Sequence, residues 1–552
     1  MRRTVPSLLV VLACAAVPVA QGQAPARPAS ADFVAPGPVV PLAAPIMAAM
    51  GGLQQAAIAA HVGFLASPAL EGRGLGAQGL DGAAEYVAAT LAVAGIAPLA
   101  QEGGALAAAP YFHPVAIREI RHPSGRVVVE RRRGETLATW TFVPGADAVL
   151  PELPPGTLAA PVVFAGYGIR EASPPRDDYQ GLDVKDKIVL IEDGLPAGDE
   201  WRRPELVKRY AAADADDRYA AKQALAKAQG ARALIAIEGE GFASVAAAAA
   251  AKPASTFFLD FDEAGTGEAL PVIRVSARAG NLMLATDGPA DAPGDTARPK
   301  ALNGVSASIV ADGDERVFVS RNVMGVVRGS DPRLRDEAVI IGAHMDHLGR
   351  AGDRTYPGAD DNASGVAALL EVAKVFAGMG RAPKRTIVFA FWTGEEEGHL
   401  GSEHYVRHSA WPLERTLVYL NLDMIGHPWK PEEIKTLVSG TRLENGAAFL
   451  SAVRVADFIE LGVATSAPQL GPALAQAARA SGLALHLDWT DGKRGGSDYR
   501  AFARKGVPFI RFFGNFFDGY HEPIDTPDRL DAGQVLKMAR LALASAWLLA
   551  DR

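Results

Sequence analysis

Cysteine is almost absent from this 552-residue chain, which contains only Cys14. A single thiol cannot form an intramolecular disulfide, so the sequence excludes a disulfide-stabilised scaffold. The composition, 49% hydrophobic and 21% charged residues, is that of a globular protein, and the length is enough for two folded units. The stability of the fold must therefore come from its hydrophobic core.

An excess of basic residues and a long apolar run are also missing. The net charge of −8 provides no basic surface for nucleic acid. The N-terminal apolar stretch, from Val5 to Val17, is shorter than the roughly 18 to 20 residues of a membrane-spanning helix, and it contains Pro6. We therefore expect no nucleic-acid partner and no integral membrane span, whereas the oligomeric state stays open.

The first 24 residues have the pattern of a secretory signal peptide, with Arg2 and Arg3 before the apolar stretch and small residues after it. We expect residues 1–24 to be removed and the protein to be exported to the periplasm or the medium. Alternatively, Val11-Leu-Ala-Cys14 resembles a bacterial lipobox, which would make the protein a lipoprotein anchored through Cys14. Residues 25–50 are rich in Ala and Pro, and this composition predicts a flexible linker.

Histidines and carboxylates follow predicted strands in the C-terminal half. The apolar runs 338–341, 386–391 and 416–421 are typical of strands. The polar fragments are His344-Met-Asp346-His347, Gly358-Ala-Asp360-Asp361, Gly394-Glu395-Glu396-Glu397, Asn421-Leu-Asp423 and Tyr520-His521. Zinc takes imidazole and carboxylate ligands, and the carboxyl ends of strands are where α/β sheets form sites. The fragments are weak evidence singly, but together they predict a two-zinc hydrolase.

The middle of the chain has a different pattern. Between roughly residues 130 and 300, the sequence predicts strand, strand, helix and strand, without a cluster of His, Cys or paired carboxylates at ligand spacing. We therefore expect a packing, lid or substrate-access module there instead of a second active site. After Phe318 the α/β alternation resumes, and it ends with a helix over 532–550.

The motifs together resemble the zinc metallopeptidase family that contains aminopeptidase Y, bacterial leucyl aminopeptidases and glutamate carboxypeptidase II. The likeness covers residues 65–98, which begin Leu-Ala-Ser-Pro-Ala-Leu-Glu-Gly-Arg-Gly, and most of 318–530. The 160–240 stretch resembles the protease-associated domain that many of these enzymes carry. The resemblance implies an α/β fold: a three-layer α/β/α peptidase domain with a mixed sheet (51–129 and 301–552) and a smaller inserted β-rich α/β domain (130–300).

The resemblance also implies two Zn²⁺ ions per chain and a set of ligands. Asp360 would bridge the two ions. One zinc would be completed by His344 and Asp423, and the other by Glu396 and His521. In relatives, the peptide bond within the aspartate pair that Asp360-Asp361 resembles is cis.

Three further residues would act on the substrate or on the ligands. Glu395 would be the general base, and Tyr520 would stabilise the oxyanion. Asp346 would accept the imidazole N–H of His344 and fix its tautomer. Other polar residues near the motifs are expected to lie outside the ligand set: Asp361, His347, Glu397, His399 and His404. His399 stands where an aliphatic residue is frequent in relatives, and Ser497-Asp498-Tyr499 replaces a common Ser-Asp-His.

The predicted function is that of a co-catalytic di-zinc aminopeptidase, which hydrolyses N-terminal residues from peptides by metal-activated water. A carboxypeptidase or dipeptidase is an alternative, for which Arg494, Arg500 or Arg511 could bind the terminal carboxylate. A glutaminyl-cyclase-like transferase and a non-catalytic binding protein are further alternatives. The complete set of ligands argues against both of these, while the preferred substrate side chain stays open.

Overall fold

The computed structural model describes residues 32–99, 110–213, 215–239, 242–250, 255–260, 270–284, 297–441, 443 and 445–552. The predicted signal peptide, residues 1–24, and Cys14 lie outside these residues. A search of the described ranges found no helix with the length and apolar character needed to cross a bilayer.

Twenty-one strands and fourteen α-helices make up the described chain. The strands are β1 (Phe33–Val34), β2 (Ala97–Pro98), β3 (Phe112–Arg133), β4 (Thr136–Phe142), β5 (Ala148–Val149), β6 (Gly156–Phe164), β7 (Arg170–Ala172), β8 (Pro175–Asp177), β9 (Ile188–Glu192), β10 (Ala233–Glu238), β11 (Ser255–Leu259), β12 (Val272–Ser276), β13 (Lys300–Val327), β14 (Ala338–His344), β15 (Arg350–Ala351), β16 (Arg354–Thr355), β17 (Thr386–Trp392), β18 (Thr416–Leu422), β19 (Phe458–Ala464), β20 (Ala484–Thr490) and β21 (Phe509–Phe512). The helices are α1 (Ala44–Gly52), α2 (Gln55–Leu65), α3 (Gln78–Val93), α4 (Pro204–Tyr210), α5 (Ala215–Ala228), α6 (Phe242–Ala250), α7 (Ala277–Leu284), α8 (Gly365–Gly378), α9 (Leu400–Arg407), α10 (Pro431–Gly440), α11 (Gly446–Ala452), α12 (Gly471–Ser481), α13 (Tyr499–Arg504) and α14 (Ala532–Ala550).

A mixed sheet forms the centre of the larger region. Its spatial order is β2–β13–β17–β14–β18–β21–β19–β20–β1. The four central strands, β17, β14, β18 and β21, run parallel, whereas β13 and β19 run antiparallel to their inner neighbours. All residues of β14 and β17 are buried, as expected for parallel strands with both faces covered by helices.

Helices cover both faces of this sheet. Side chains alternate along each strand, so Ile341 and Phe389 pack against α2, α8 and α14, while Ile340 and Val388 face α9 and α13. The result is a three-layer α/β/α domain with a mixed sheet, which confirms the predicted fold class.

The inserted region has its own sheet and cores. Strands β6, β9, β10 and β12 are parallel neighbours, and β5 and β13 pair antiparallel with β12 and β6. Two buried clusters lie around this sheet, one of them including Val127 and Ile309. The region is therefore a second folded unit, and its assignment to the protease-associated class stays a prediction.

The predicted domain borders do not fall in linkers. Residue 130 lies inside β3, and residue 300 is the first residue of β13. These two long strands pair with each other from Phe112–Val323 to Arg131–Val305, so they run without a break from one region into the other. The border at residue 130 therefore falls within one continuous strand and not between two elements.

The predicted linker over residues 25–50 is ordered wherever the structure describes it. Strand β1 pairs antiparallel with β20, and helix α1 buries Ile46, Ala49 and Met50. The spacing of these three residues, i, i+3 and i+4, forms one apolar helix face, which the Ala- and Pro-rich composition concealed. Residues 32–50 are thus part of the larger region.

Candidate metal centre and catalytic cleft

The predicted polar residues lie at one edge of the central sheet. His344 is the last residue of β14, and Glu395 and Glu396 follow β17 by three and four residues. Asp423 comes directly after β18, and His521 lies in the loop after β21. Since these four strands are parallel neighbours, their carboxyl ends bring the side chains into one cleft.

Two groups of ligand-type atoms meet in this cleft and share Asp361. In the first group, Nε2 of His344 lies 3.2 Å from Oδ1 of Asp423 and 3.4 Å from Oδ1 of Asp361. In the second, Nε2 of His521 lies 3.1 Å from Oε2 of Glu396 and 3.2 Å from Oδ2 of Asp361. The two oxygens of one carboxylate therefore face different groups, which is the arrangement of a bridging ligand.

These spacings fit metal ions. Tetrahedral ligands that each lie about 2.0 Å from a zinc ion are about 3.3 Å from one another, close to the observed distances. In addition, Nε2 of His521 is buried without a hydrogen bond of standard geometry. The donor set therefore fits zinc, which His344, Asp423 and Asp361 would hold on one side and His521, Glu396 and Asp361 on the other.

Asp361, and not Asp360 as the sequence predicted, lies between the two ligand groups. Both oxygens of Asp360 have other partners: Oδ1 accepts the N–H of Gly426 at 2.7 Å, and Oδ2 lies 2.7 Å from Nδ1 of His427. The cis peptide bond likewise joins Asp361 and Asn362, one residue later than expected. Asp360 thus supports the turn, while Asp361 faces the cleft.

Two distant residues hold the turn that carries Asp361. The carboxylate of Asp525 accepts the backbone N–H groups of Asp360 and Asp361, at 2.9 to 3.1 Å. The guanidinium of Arg73, which is only 1% exposed, donates to several main-chain carbonyls. Its acceptors, at 2.6 to 2.8 Å, are the carbonyls of Leu65, Met345, Pro357 and Gly358. Arg73 therefore joins the turn to the strand end that carries His344.

Asp346 contacts the backbone of the Glu395 loop. Its carboxylate accepts the N–H groups of Glu395, at 3.1 Å, and of Glu396, at 3.2 Å. Nδ1 of His344 lies 3.2 Å from the main-chain carbonyl of Asp346 but 3.8 Å from its carboxylate. The side chain thus fixes the loop of the predicted base, and the carbonyl is the closer partner of the imidazole.

The carboxylate of Glu395 lies beside the first ligand group. Its Oε2 is 3.9 Å from Nε2 of His344, and the residue is 8% exposed. Burial raises the pKa of Glu395 well above its usual value, and the charges of Asp423 and Asp498 raise it further. A carboxyl group with a raised pKa next to a substrate cleft is suited to accept and return a proton.

The cleft has a strongly negative potential. Burial alone would lower the pKa of His344, but Glu395 and Asp423 raise it well above its usual value. Burial would also lower the pKa of His521, but the carboxylates of Asp361 and Glu396 raise it to about 10. Both imidazoles thus lie among carboxylates that stabilise positive charge at this place.

Tyr520 lies at the rim of the cleft. It is 39% exposed, and its ring stacks on that of His521 with 3.9 Å between the centroids. Phe516 contacts Tyr520 edge-on, and Phe513 contacts Phe516 in the same way. These aromatic rings form one wall of a cavity of about 200 Å³. The wall offers an apolar surface for a substrate side chain.

Of the three arginines available for a terminal carboxylate, Arg511 lines this cavity. Its guanidinium lies 3.6 Å from Asp488 and 3.8 Å from Glu460, and its buried Nε makes no standard hydrogen bond. A Cβ at Gly462 would lie only 2.9 Å from Nε of Arg511, so glycine leaves space for it. Arg494 instead pairs with Asp217 of the inserted region.

The other polar residues expected outside the ligand set differ in their proximity to the cleft. His347 contacts Glu396, with 2.6 Å between Nδ1 and Oε1. His399 faces Glu395, whereas His404 packs against His113. Burial and neighbouring carboxylates raise the pKa of Glu397 to about 7.

Reasoning from the sequence did not identify Asp525 or His427 as residues near the site. It also did not predict that Arg73 holds the turn of Asp361. Asp525 and His427 belong to no fragment that zinc chemistry singles out. The only signal for Arg73 was its place in the 65–74 stretch that the family resemblance included.

Residues 322–546 match the model of Peptidase family M28. A probable leucine aminopeptidase 2 from Aspergillus oryzae is 36% identical over 125 residues, which are 22% of this chain and 23% of that protein. A probable glutamate carboxypeptidase VP8 from Zea mays is 27% identical over 256 residues, 42% of this chain and 30% of that protein. The alignments thus span less than a third of either relative.

Among solved structures, an aminopeptidase from Aneurinibacillus sp. strain AM-1 superposes with a TM-score of 0.46 and 19% identity. That alignment covers 91% of this chain and 95% of the other.

Proposed function

Because residues 322–546 match the model of Peptidase family M28, we propose that the protein is a zinc aminopeptidase that binds two metal ions and hydrolyses N-terminal residues from peptides. The relatives named as a leucine aminopeptidase and a glutamate carboxypeptidase support a peptidase activity. The two ions, the general base and the direction of cleavage are parts of the proposal.

The observation that carries the proposal is the pair of ligand groups that share Asp361. Buried carboxylates are stable when they are paired or coordinate a metal. Within the described residues, the only basic side chains that lie within 4.0 Å of the carboxylate oxygens of Asp361, Glu396 and Asp423 are histidines. A histidine that coordinates a metal is neutral, so in the metal-bound site divalent cations would compensate these negative charges.

Zinc ions bound there would supply Lewis acidity, which lowers the pKa of a coordinated water and polarises a carbonyl oxygen. Glu395 takes a proton from the attacking water, and it returns that proton to the leaving amine. Asp346 keeps Glu395 in place through the backbone of its loop. The hydroxyl of Tyr520, which lines the cavity, would donate to the oxyanion of the tetrahedral intermediate.

A free amino terminus would bind beside one of the two metal ions, which confines cleavage to the N-terminal peptide bond. Arg511 is the observation that favours the second candidate, a carboxypeptidase, because a guanidinium can bind a terminal carboxylate. Its nearby carboxylates, Asp488 and Glu460, compensate part of its charge.

Residue release from a peptide panel tests the proposal. Each sequence is supplied with free termini, with an acetylated N-terminus and with an amidated C-terminus, before and after treatment with a zinc chelator. We expect release that the chelator abolishes, that requires a free N-terminus, and that returns when zinc is added.

Two results would contradict this function. Release that survives N-acetylation but requires a free C-terminus would favour the carboxypeptidase, and Arg511→Met should then raise KM. Absence of release from every peptide by the zinc-loaded protein would exclude a peptidase.

Export is a separate proposal, supported by the signal-like pattern of residues 1–24 and the absence of cysteine after Cys14. N-terminal sequencing of protein from the cell fractions tests it. A start near residue 25 is expected, a lipid-modified Cys14 would indicate the lipoprotein, and an intact Met1 in the cytoplasm would contradict export.

A further inference from the structure

A tight turn brings His399 back to the residue that we assign as the general base. The carbonyl of Glu395 accepts the N–H groups of Gly398, at 3.0 Å, and of His399, at 2.8 Å. His399 has a φ of 63°, in the left-handed region, and directly precedes helix α9. Such a backbone is uncommon for a residue other than glycine and is found where the surrounding structure stabilises it.

The imidazole of His399 faces the carboxylate of Glu395. Nε2 of His399 lies 3.3 Å from Oε1 of Glu395, and the two residues are 6% and 8% exposed. Neither ring nitrogen of His399 makes a hydrogen bond of standard geometry. A buried N–H without a partner costs about 1–3 kcal/mol, and catalytic hydrogen bonds often shorten when substrate binds. A hydrogen bond with Glu395 would satisfy this N–H.

Burial lowers the pKa of His399 to about 3, and the positive charges of Arg500 and His344 act in the same direction. The ring is therefore neutral at physiological pH. A neutral imidazole can orient a carboxylate through one hydrogen bond without taking the place of a metal cation.

Glu395 needs such an orientation because it lies close enough to become a metal ligand. A carboxylate oxygen of Glu395 and ligand atoms of His344 and Asp423 all lie within 4.8 Å of one another. A Glu395 carboxylate bound to the metal would be a poor proton acceptor. The other oxygen, Oε1, is the one that faces His399.

We propose that His399 is a positioning residue that hydrogen-bonds Oε1 of Glu395 and keeps this carboxylate out of the ligand group formed by His344 and Asp423. The inference rests on the proposed function, in which Glu395 is the general base. The inference adds His399 to the residues that act at the site. Relatives frequently have an aliphatic residue at this position.

Two substitutions separate the hydrogen bond from the packing of the ring. In His399→Gln, the side-chain amide reaches the place of Nε2 and can still donate to Glu395. In His399→Asn, the shorter amide cannot reach it, although Asn tolerates the left-handed backbone well. Both variants are therefore expected to fold, which the thermal unfolding midpoint checks.

The measurements are kcat and KM on the best peptide, and zinc affinity from competition with a chromogenic chelator. For His399→Asn we expect kcat to fall about 10- to 100-fold, with KM little changed, and zinc to bind more tightly because Glu395 joins the ligands. For His399→Gln we expect both values to stay near those of the wild type. His408→Gln, at the exposed end of α9, is the control and should change neither.

Equal impairment of the Asn and Gln variants would overturn the inference, because packing alone would then explain the loss. Wild-type kcat and zinc affinity in His399→Asn would overturn it as well. If the wild-type protein hydrolyses no peptide, the proposed function fails, while the zinc affinities of the two variants still decide whether His399 restrains Glu395.

Discussion

The two regions of this molecule both bury charged groups, but they balance them differently. Among the described residues of the inserted region, three buried or half-buried carboxylates pair with arginines: Arg176 lies 2.7 Å from Asp178, Arg218 lies 3.0 Å from Asp193, and Arg274 pairs with Glu238. In the cleft of the larger region, histidines are the only basic side chains that the described residues place within 4.0 Å of the carboxylate oxygens of Asp361, Glu396 and Asp423.

This difference separates a structural charge network from a functional one. A buried ion pair compensates much of the cost of removing its own charges from water. A group of carboxylates without arginine or lysine partners stays costly until a cation binds, and this retained cost is what gives the site its affinity for metal. A surplus of one sign of charge in the interior is therefore a better indicator of function than the number of buried charges.

Exchange of the bridging carboxylate should give the largest effect. In Asp361→Asn the oxygens shared by both ligand groups lose their charge, so we expect zinc content to fall from about two ions per chain and activity to disappear. Asp360→Asn is the matched neighbour, and it should retain both ions because its oxygens lie toward Gly426 and His427. Elemental analysis of the desalted proteins decides between them, and the opposite pattern would restore Asp360 as the bridge.

Removal of the proposed general base, Glu395, should give the second-largest effect. Glu395→Gln keeps the shape of the side chain but cannot accept a proton, so we expect kcat to fall about 10²- to 10⁴-fold with zinc content and unfolding midpoint unchanged. Glu397→Gln is the control two residues along, and it should retain most of the activity. Turnover that survives in Glu395→Gln would show that another group transfers the proton.

Loss of the buried guanidinium tests how the cleft is held together. Arg73→Met leaves several buried carbonyls without donors, so we expect a loss of about 3 kcal/mol in the free energy of unfolding and weaker zinc retention. Denaturant unfolding followed by tryptophan fluorescence measures it. The exposed pair Arg350–Glu71 is the comparison, since Arg350→Met should cost less than about 1 kcal/mol. Equal costs would mean that Arg73 contributes no more than a surface residue.

A buried lysine of the inserted region should give the smallest effect. Burial lowers the pKa of Lys222 to about 8 from its ordinary value of 10.5. Between these pH values the unfolded chain binds a proton that the folded chain does not, so folded stability rises with pH. We expect the wild type to gain about 1 kcal/mol relative to Lys222→Met between pH 8 and 9. Unfolding midpoints of both proteins across this range measure it, and parallel pH profiles would contradict the lowered pKa.

Several elements could be predicted because their signals are local. The apolar runs before His344, Glu395 and Asp423 are strands, and the carboxyl ends of neighbouring parallel strands always meet at one edge of a sheet. Composition was a weaker guide, since it suggested a linker where apolar residues of α1 pack into the core. Pairing between β3 and β13 was hidden for another reason, because strand partners far apart in sequence leave no mark on either segment.

The sequence by itself determined the fold class, the edge of the sheet at which a site forms, and the types of ligand available there. Tertiary structure alone decided that Asp361 and not Asp360 faces the cleft. Adjacent side chains point in different directions, and their turn is oriented by contacts from Arg73 and from Asp525, which lies 165 positions away from Asp360. Local sequence specifies which groups are present, whereas the direction in which each group points depends on partners that only the folded chain brings near.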